Sequence, residues 1–262
     1  MKLECRHISK IFGKGAKATR ALEDISFETH EGEFLSVLGP SGCGKSTLLK
    51  IIAGLSEPTS GEVIYSGSNT DGPLNSMVFQ EHGVFPWMNV IDNVAFGLEM
   101  QGVSRKERYE RSLDFLKRVG LLRHAYRNPH ELSVGMRQRI AIARAFVNNP
   151  AILLMDEPFV SLDAQTRLIL QAELLRLWSE RKKTVIFVTH DIDEAILLGD
   201  RVLVMTSGPG RIKDVVTVGI DRPRDIQMEG MQRFLELKML IWRSIRHEVE
   251  RSMAGDGDGD EH

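Results

Sequence analysis

The chain has almost no cysteine, no excess of either charge and no long apolar run. Cys5 and Cys43 are the only cysteines in 262 residues. No disulfide framework can be built from them, which points to a reducing compartment. Lysine plus arginine number 34 against 36 aspartate plus glutamate, a formal net charge of −2. That balance provides no overall basic field, so nucleic acid is not expected as a partner. No apolar stretch reaches the roughly 18 residues needed to cross a bilayer. The start, "MKLECRHISK", lacks the apolar centre of a secretory leader. Internal repeats are absent too. Together these absences predict a soluble intracellular protein. A hydrophobic fraction of 42% is enough for a real core, and the length suggests one large domain or two small ones.

What is present is an alternation of apolar runs and helical periods. Two short β-like runs, in "LECRHISKIF" and "DISFETH", flank a basic loop at 13–20. "EFLSVLG" reads as a buried strand ending in glycine, and "KSTLLKIIAG" as a helix closed by Gly54. "GEVIYSG" and "NSMVFQ" read as further strands. From 90 to 147 the period turns helical, with charged stretches such as "SRKERYERSLDFLKRVG". "AILLMDE" and "TVIFVTH" are apolar, β-rich runs separated by a helix over 164–182. "RVLVMTSG" and "RIKDVVTVGI" add two strands, and an amphipathic helix covers 230–251. Strands alternating with helices predict an α/β fold on a parallel sheet, with the helical middle inserted into it. The tail "GDGDGDEH" has Glu261 where a calcium loop needs its glycine. It reads as an acidic, disordered tail.

The sharpest signal is "GPSGCGKST". Gly39, Pro40, Ser41, Gly42, Cys43 and Gly44 lead to Lys45, Ser46 and Thr47, between a buried strand and a helix. Glycines let successive backbone amides turn inward around phosphate oxygens, and the helix N-terminus adds its positive end. In this pattern Lys45 reaches the β- and γ-phosphates and Ser46 ligates Mg²⁺. Cys43, at a helix N-terminus, is expected to be a reactive thiol. "ILLMDEP" supplies a complementary half. Asp156 ends a buried strand, where open α/β sheets bind ligands, and could hold Mg²⁺ through water. Glu157 beside it could polarise an attacking water, or the two acids could simply cap the turn that Pro158 makes. His190 ends "TVIFVTH", from where it would face the γ-phosphate.

With these pieces in order, the chain resembles the nucleotide-binding subunit of an ABC transporter over nearly its full length. Phe12 in "ISKIFG" matches the aromatic that stacks on adenine. Residues 39–46 match the Walker A loop, and "ILLMDE" matches the Walker B strand. Gln80 in "VFQEHGVFPW" matches the Q-loop glutamine, which senses Mg²⁺. "LSVGMRQR" matches the signature motif, with Ser133 and Gly135 toward nucleotide. "SLDA" (161–164) matches the D-loop and His190 the switch histidine. The signature departs from the usual L-S-G-G-Q at Val134 and Met136.

The resemblance implies a P-loop NTPase core, a mostly parallel sheet with flanking helices, an N-terminal antiparallel β subdomain and an inserted α-helical subdomain. An ABC ATPase domain would cover 1–253, with the β subdomain at about 1–75, the helical one at about 88–148 and the tail at 254–262. It also implies ATP and Mg²⁺ as ligands and ATP hydrolysis, with Glu157, His190 and Gln80 in catalysis and Ser46, Gln80 and Asp156 at the metal. The expected partners are a second copy in a head-to-tail, ATP-sandwiched dimer, integral-membrane permease subunits and, indirectly, a periplasmic solute-binding protein. The expected location is the cytoplasmic face of the inner membrane. "VFQEHGVFPWMNVIDNVAFGLEMQG" and "MTSGPGRI" are similar to the nitrate/sulfonate/taurine importer branch. Sulfonates, taurine, nitrate, thiamine-precursor pyrimidines and bicarbonate all remain open as solutes, as does export. The segment 80–93, with Phe85 and Trp87, either docks the permease or packs on its own helical domain. A soluble ABC protein acting on DNA or ribosomes would show a coiled-coil insertion or tandem cassettes. A P-loop kinase would not need the signature, D-loop and switch His together.

Overall fold

The computed structural model describes residues 1–67, 72–80 and 83–255. Two compact units divide the chain, one of residues 1–68 and 184–262 and the other of residues 69–183. The first unit contains β1 (Lys2–Phe12), β2 (Thr19–Glu28), β3 (Phe34–Leu38), α1 (Lys45–Ile52) and β4 (Ser60–Ser66), then β7 (Thr184–Thr189), α6 (Ile192–Leu198), β8 (Arg201–Met205), β9 (Ile212–Thr217) and α7 (Gln232–Gly255). The second holds β5 (Asn75–Val78), α2 (Val90–Met100), α3 (Arg105–Arg118), α4 (Val134–Val147), β6 (Ile152–Asp156) and α5 (Ala164–Arg181).

In the first unit β1 lies between β2 and β4 in an antiparallel sheet. The one-sided alternation of β1 should place every second residue inward. Yet Cys5 and Ile8 are both buried, as are Leu22 and Ile25 on β2. A spacing of three keeps both residues on the core side only if an extra residue bulges out between them. The register slips between Cys5 and Ile8, with His7 at φ 48° and Asp24 at φ 53°. Their side chains meet, His7 Nδ1 lying 2.6 Å from Asp24 Oδ1. Strand β2 starts at Thr19, inside the segment expected as a basic loop, because Phe12 and Ile11 pair with Thr19 and Arg20. Ladder pairing there outweighs a loop-like composition.

The second sheet of this unit runs β7-β3-β8-β9. β3 is parallel to β7 and β8, and β9 closes the edge antiparallel. Every residue of β3 and β7 is buried, the continuous apolar reading of strands covered on both faces. Ala195 and Ile196 of α6 join Phe234, Leu237, Ile241 and Ile245 of α7 over Val202 and Val204. The α7 residues recur at three and four positions, one stripe of a helix. That helix continues through Ala254 and Gly255; the rest of the expected acidic tail, 256–262, lies outside the described residues. In the second unit β5 and β6 pair in parallel. Helix α4 packs on α2, α3 and α5. Among the described residues no helix is long and apolar enough to cross a membrane.

Between "TVIFVTH" and "RVLVMTSG", where no element is expected from the sequence, the structure has α6. Seven residues are too few to show a period, but the caps are legible. Asp191 accepts from the Glu194 amide at 3.1 Å, a carboxylate N-cap of the usual kind. The other end is clasped by arginines. Arg224 donates to the carbonyls of Ile196 at 3.0 Å and Gly199 at 2.6 Å, and to Ile220. Arg222 reaches Leu198 O at 2.6 Å and Asp200 at 2.8 Å. Burial, with Arg222 adding to it, pushes the Arg224 pKa down to about 10. Arg224→Ala would strand several buried carbonyls and is expected to cost about 2–4 kcal/mol. Arg222→Ala, at a side chain 22% exposed and so partly screened by solvent, should cost about 1 kcal/mol or less. Urea unfolding of the two variants checks the ranking, and equal losses would contradict the clasp.

Candidate nucleotide-binding site

The phosphate loop is built where the fully buried β3 runs out at Gly39 and α1 begins at Lys45. Gly44 is the N-cap of α1 at φ 99° and offers no side chain to its first turn. A Cβ at Gly44 would also lie 2.7 Å from Leu22 Cδ2 and 2.8 Å from Ala21 O. Only glycine meets both the left-handed backbone and the close approach. Lys45 is 4% exposed, and its ammonium donates to the carbonyls of Gly39 and Pro40, both at 2.8 Å. An ammonium inside the loop and a helix start without a side-chain cap form a concavity suited to polyphosphate. Cys43 does not fit the expectation of a reactive thiol. It is buried at 1% exposure, and a Cβ on Gly39 would lie 2.8 Å from its sulfur. A low-pKa setting makes a thiol reactive only where reagents can reach it.

Leu38 pairs with Thr189, so Gly39 and His190 leave neighbouring parallel strands at the same carboxyl edge. His190 is exposed. Its flanks are tied down: Thr189 Oγ1 accepts from the Asp191 amide at 3.0 Å and bonds the buried Glu194 carboxylate. Phe12, at the end of β1, is 47% exposed with the Lys10 ammonium 5.1 Å from its ring centre. These residues all belong to the first unit.

The second unit carries the remaining candidates. Asp156 is the last residue of β6 and is buried. Glu157 follows at φ 42°, a left-handed conformation that costs a non-glycine residue on the order of 1–3 kcal/mol and clusters at functional sites. Gln80 is exposed, two residues beyond β5. Glu81 and His82 lie outside the described residues. Past them the chain is pinned by Asn93, wholly buried, which accepts from Phe85 N at 2.7 Å and donates to the carbonyls of Phe85, Met88 and Asn89 at 2.9–3.0 Å. Phe85 packs edge-on to Phe96 and under the Arg144 guanidinium, 5.0 Å away. Burial holds the Arg144 pKa below its ordinary value. Trp87, stacked on Phe85, is 74% exposed. So Phe85 packs at home, while Trp87 faces outward.

The octamer "LSVGMRQR" also resolves. Ser133 is the N-cap of α4 and accepts from the Met136 amide at 3.3 Å; Val134 is the first helical residue. Gly135 sits against α5, where a Cβ would lie 2.7 Å from Thr166 Cγ2. Thr166 is held in turn by Asp163, whose carboxylate accepts its amide at 2.9 Å. That bond and the Thr166 hydroxyl keep the Asp163 pKa below the usual range. No motif in the sequence singles out Thr166, Asn93, Arg144 or Glu194. Only Glu194 carries a local signal, since Asp191 three residues before it spells a helix start.

A family model described as ABC transporter matches residues 22–160. Over 255 residues the chain is 49% identical to an ABC transporter ATP-binding protein of Methanocaldococcus jannaschii, covering 97% of this chain and 94% of that one. The chain belongs to the ABC transporter ATP-binding family. As an ABC ATPase it binds and hydrolyses ATP for a transporter. It is also 41% identical over 249 residues to an aliphatic sulfonates import ATP-binding protein of Bacillus thuringiensis subsp. konkukian, covering 94% of this chain and 97% of that one. A solved dimeric ATP-binding cassette, in a post-hydrolysis state with ADP and Pi, matches with a TM-score of 0.74 at 34% identity over 84% of this chain and 100% of that chain.

Within this ABC ATPase the contact between Gly135 and Thr166 generates a test independent of nucleotide. Gly135→Ala should cost about 1–3 kcal/mol by overpacking. In a Thr166→Ser background, which keeps the hydroxyl and removes the methyl, the same change should be neutral or favourable by up to about 1 kcal/mol of helix propensity. Chemical denaturation of the four proteins measures the coupling; additive effects would show that the two residues do not touch.

Proposed function

We propose that this chain powers import of a small anionic solute, an aliphatic sulfonate first among them, through a separate permease. The observation that carries this reading is the near full-length likeness to aliphatic sulfonates import ATP-binding proteins of Bacillus, at 41% identity over 249 residues and 44% over 227. Nitrate, also an anion, and taurine, a zwitterion that carries the same sulfonate group, are the nearest rivals. The working location is the cytoplasmic face of the membrane. The partners are permease subunits, a second copy of this chain and, through the permease, a solute-binding protein. Trp87 and its neighbours in 80–93 are the docking surface toward the permease, supported by a 74% exposed indole on a loop otherwise fastened by Asn93.

In the cycle proposed here adenine stacks on Phe12, and the amides of residues 39–47 hold the phosphates with Lys45 at the β- and γ-positions. Ser46 would hold Mg²⁺, with Asp156 and Gln80 in support, and the ion would supply neutralisation of phosphate charge. Mg²⁺ commonly takes one or two carboxylates together with substrate phosphates rather than an all-protein cage. Among the described residues no three His, Cys, Asp or Glu side chains group into such a cage. Glu157 orients water for in-line attack, and His190 stabilises the charge that develops on the γ-phosphate. Ser133 and Gly135 of a second copy close over the same phosphate. For that, the Ser133 hydroxyl must serve the ligand as well as the Met136 amide it now caps.

Glu157→Gln is expected to keep ATP affinity, lose about a hundredfold or more of the hydrolysis rate, and accumulate as an ATP-bound dimer on size-exclusion chromatography. Hydrolysis near the wild-type rate sinks the role of Glu157. For the solute, the permease complex reconstituted in vesicles should show ATPase stimulation by a binding protein loaded with an alkanesulfonate. Stimulation by nitrate alone would move the assignment to another branch member.

A further inference from the structure

"MTSGPGRI" has no part in the cycle above, yet its turn presses on the phosphate loop from behind. Gly210 lies against Cys43: a Cβ there would be 2.2 Å from the Cys43 carbonyl oxygen and 2.8 Å from Met205 Cε. Gly210 is also stitched to β2, its amide donating to Ala21 O and its carbonyl accepting from Glu23 N, both at 2.9 Å. Ala21 O is the same atom that crowds Gly44. The turn is closed internally by Thr206, whose hydroxyl donates to Pro209 O and accepts from Arg211 N, both at 2.9 Å. From outside it is fastened by α7. Glu248, 4% exposed, accepts from the amide and the hydroxyl of Ser207 at 3.0 Å each, and from the Lys213 ammonium at 2.7 Å.

We propose that the turn 207–210, anchored by Glu248, is the back wall of the phosphate loop, making Gly210, Ser207 and Glu248 positioning residues for nucleotide phosphate. A peptide unit is planar and trans, so the Cys43 carbonyl and the Gly44 amide point in opposite directions. With the carbonyl seated on Gly210, the amide is turned away from Gly210. Anything that pushes the carbonyl swings that amide with it. Displacements well under 1 Å matter where donors must meet charged oxygens. The C-terminal helix thereby sets nucleotide affinity from behind, without touching nucleotide. The inference rests on the loop being the ATP site.

The test uses the full chain and direct titration with fluorescent ADP and ATP. Gly210→Ala should weaken both by about threefold to thirtyfold, with the loss appearing in KM for ATP and much less in kcat at saturation. Glu248→Ala should act in the same direction, and Glu248→Gln, which keeps an acceptor for Ser207, should recover most of the affinity. Ser207→Ala should fall between wild type and Glu248→Ala. If Gly210→Ala does not fold by circular dichroism, the Glu248 and Ser207 variants decide. Folded variants that bind ADP as tightly as wild type, or that lose kcat with KM unchanged, overturn the proposal. An unmodified chain that fails to bind either nucleotide overturns the ATP-site reading instead.

Discussion

Around Cys43 and Gly44 three backbone segments meet, with the side chains of Leu22 and Met205 packed against them, and the phosphate loop depends on that contact. β2 comes in at Ala21 and Leu22, the loop itself at Gly44, and the turn after β8 at Gly210. Each approach is closer than a Cβ allows. The cradle is braced from within by the Lys45 ammonium on Gly39 and Pro40, and neighbouring backbone presses on it from outside. Close packing leaves such a junction few alternatives.

Helix starts divide the molecule by what they can offer a ligand. Helices α2 to α6 begin at Asn89, Ser104, Ser133, Asp163 and Asp191, and each of those side chains accepts a bond from its own first turn. Helix α1 begins at Gly44, with no side chain to do so. Its positive end is left open to an anion. The start of α4 is different in kind. Ser133 already caps it, and Gly135 is small because Thr166 stands beside it. A glycine that the signature pattern attributes to phosphate approach therefore has a second, purely steric reason within its own unit. The same Thr166 bonds Asp163, so the starts of α4 and α5 are tied together.

The segment after β5 shows how one side chain can organise a loop that lacks regular structure. Asn93 spends its carboxamide on the backbone of Phe85, Met88 and Asn89. It is the first buried turn of α2 that supplies this anchor, not the loop. With Phe85 drawn in under Arg144, the neighbouring indole of Trp87 is left outside.

Much of the architecture and the main motifs were legible in the sequence, because they are local. The runs that became β3, β6 and β7 are apolar at nearly every position, and the Gly39-to-Thr47 pattern needs only its flanking strand and helix to be recognised. Short or irregular features were harder. α6 has seven residues, too few for a period, and β2 began earlier than composition suggested because its pairing partner is a strand elsewhere in the chain. The thiol of Cys43 illustrates the boundary most sharply: its place at a helix start was readable, but its burial under Gly39 was not. The close approaches at Gly135 and Gly210 belong to the same class, as does the grip of Glu248 on Ser207. The contacts of Gly135 with Thr166, Gly210 with Cys43 and Glu248 with Ser207 join residues 31 to 167 positions apart. Sequence determines periodicity, caps and loop chemistry over a few residues; only the tertiary structure decides which distant backbones touch, since that follows from how whole elements pack.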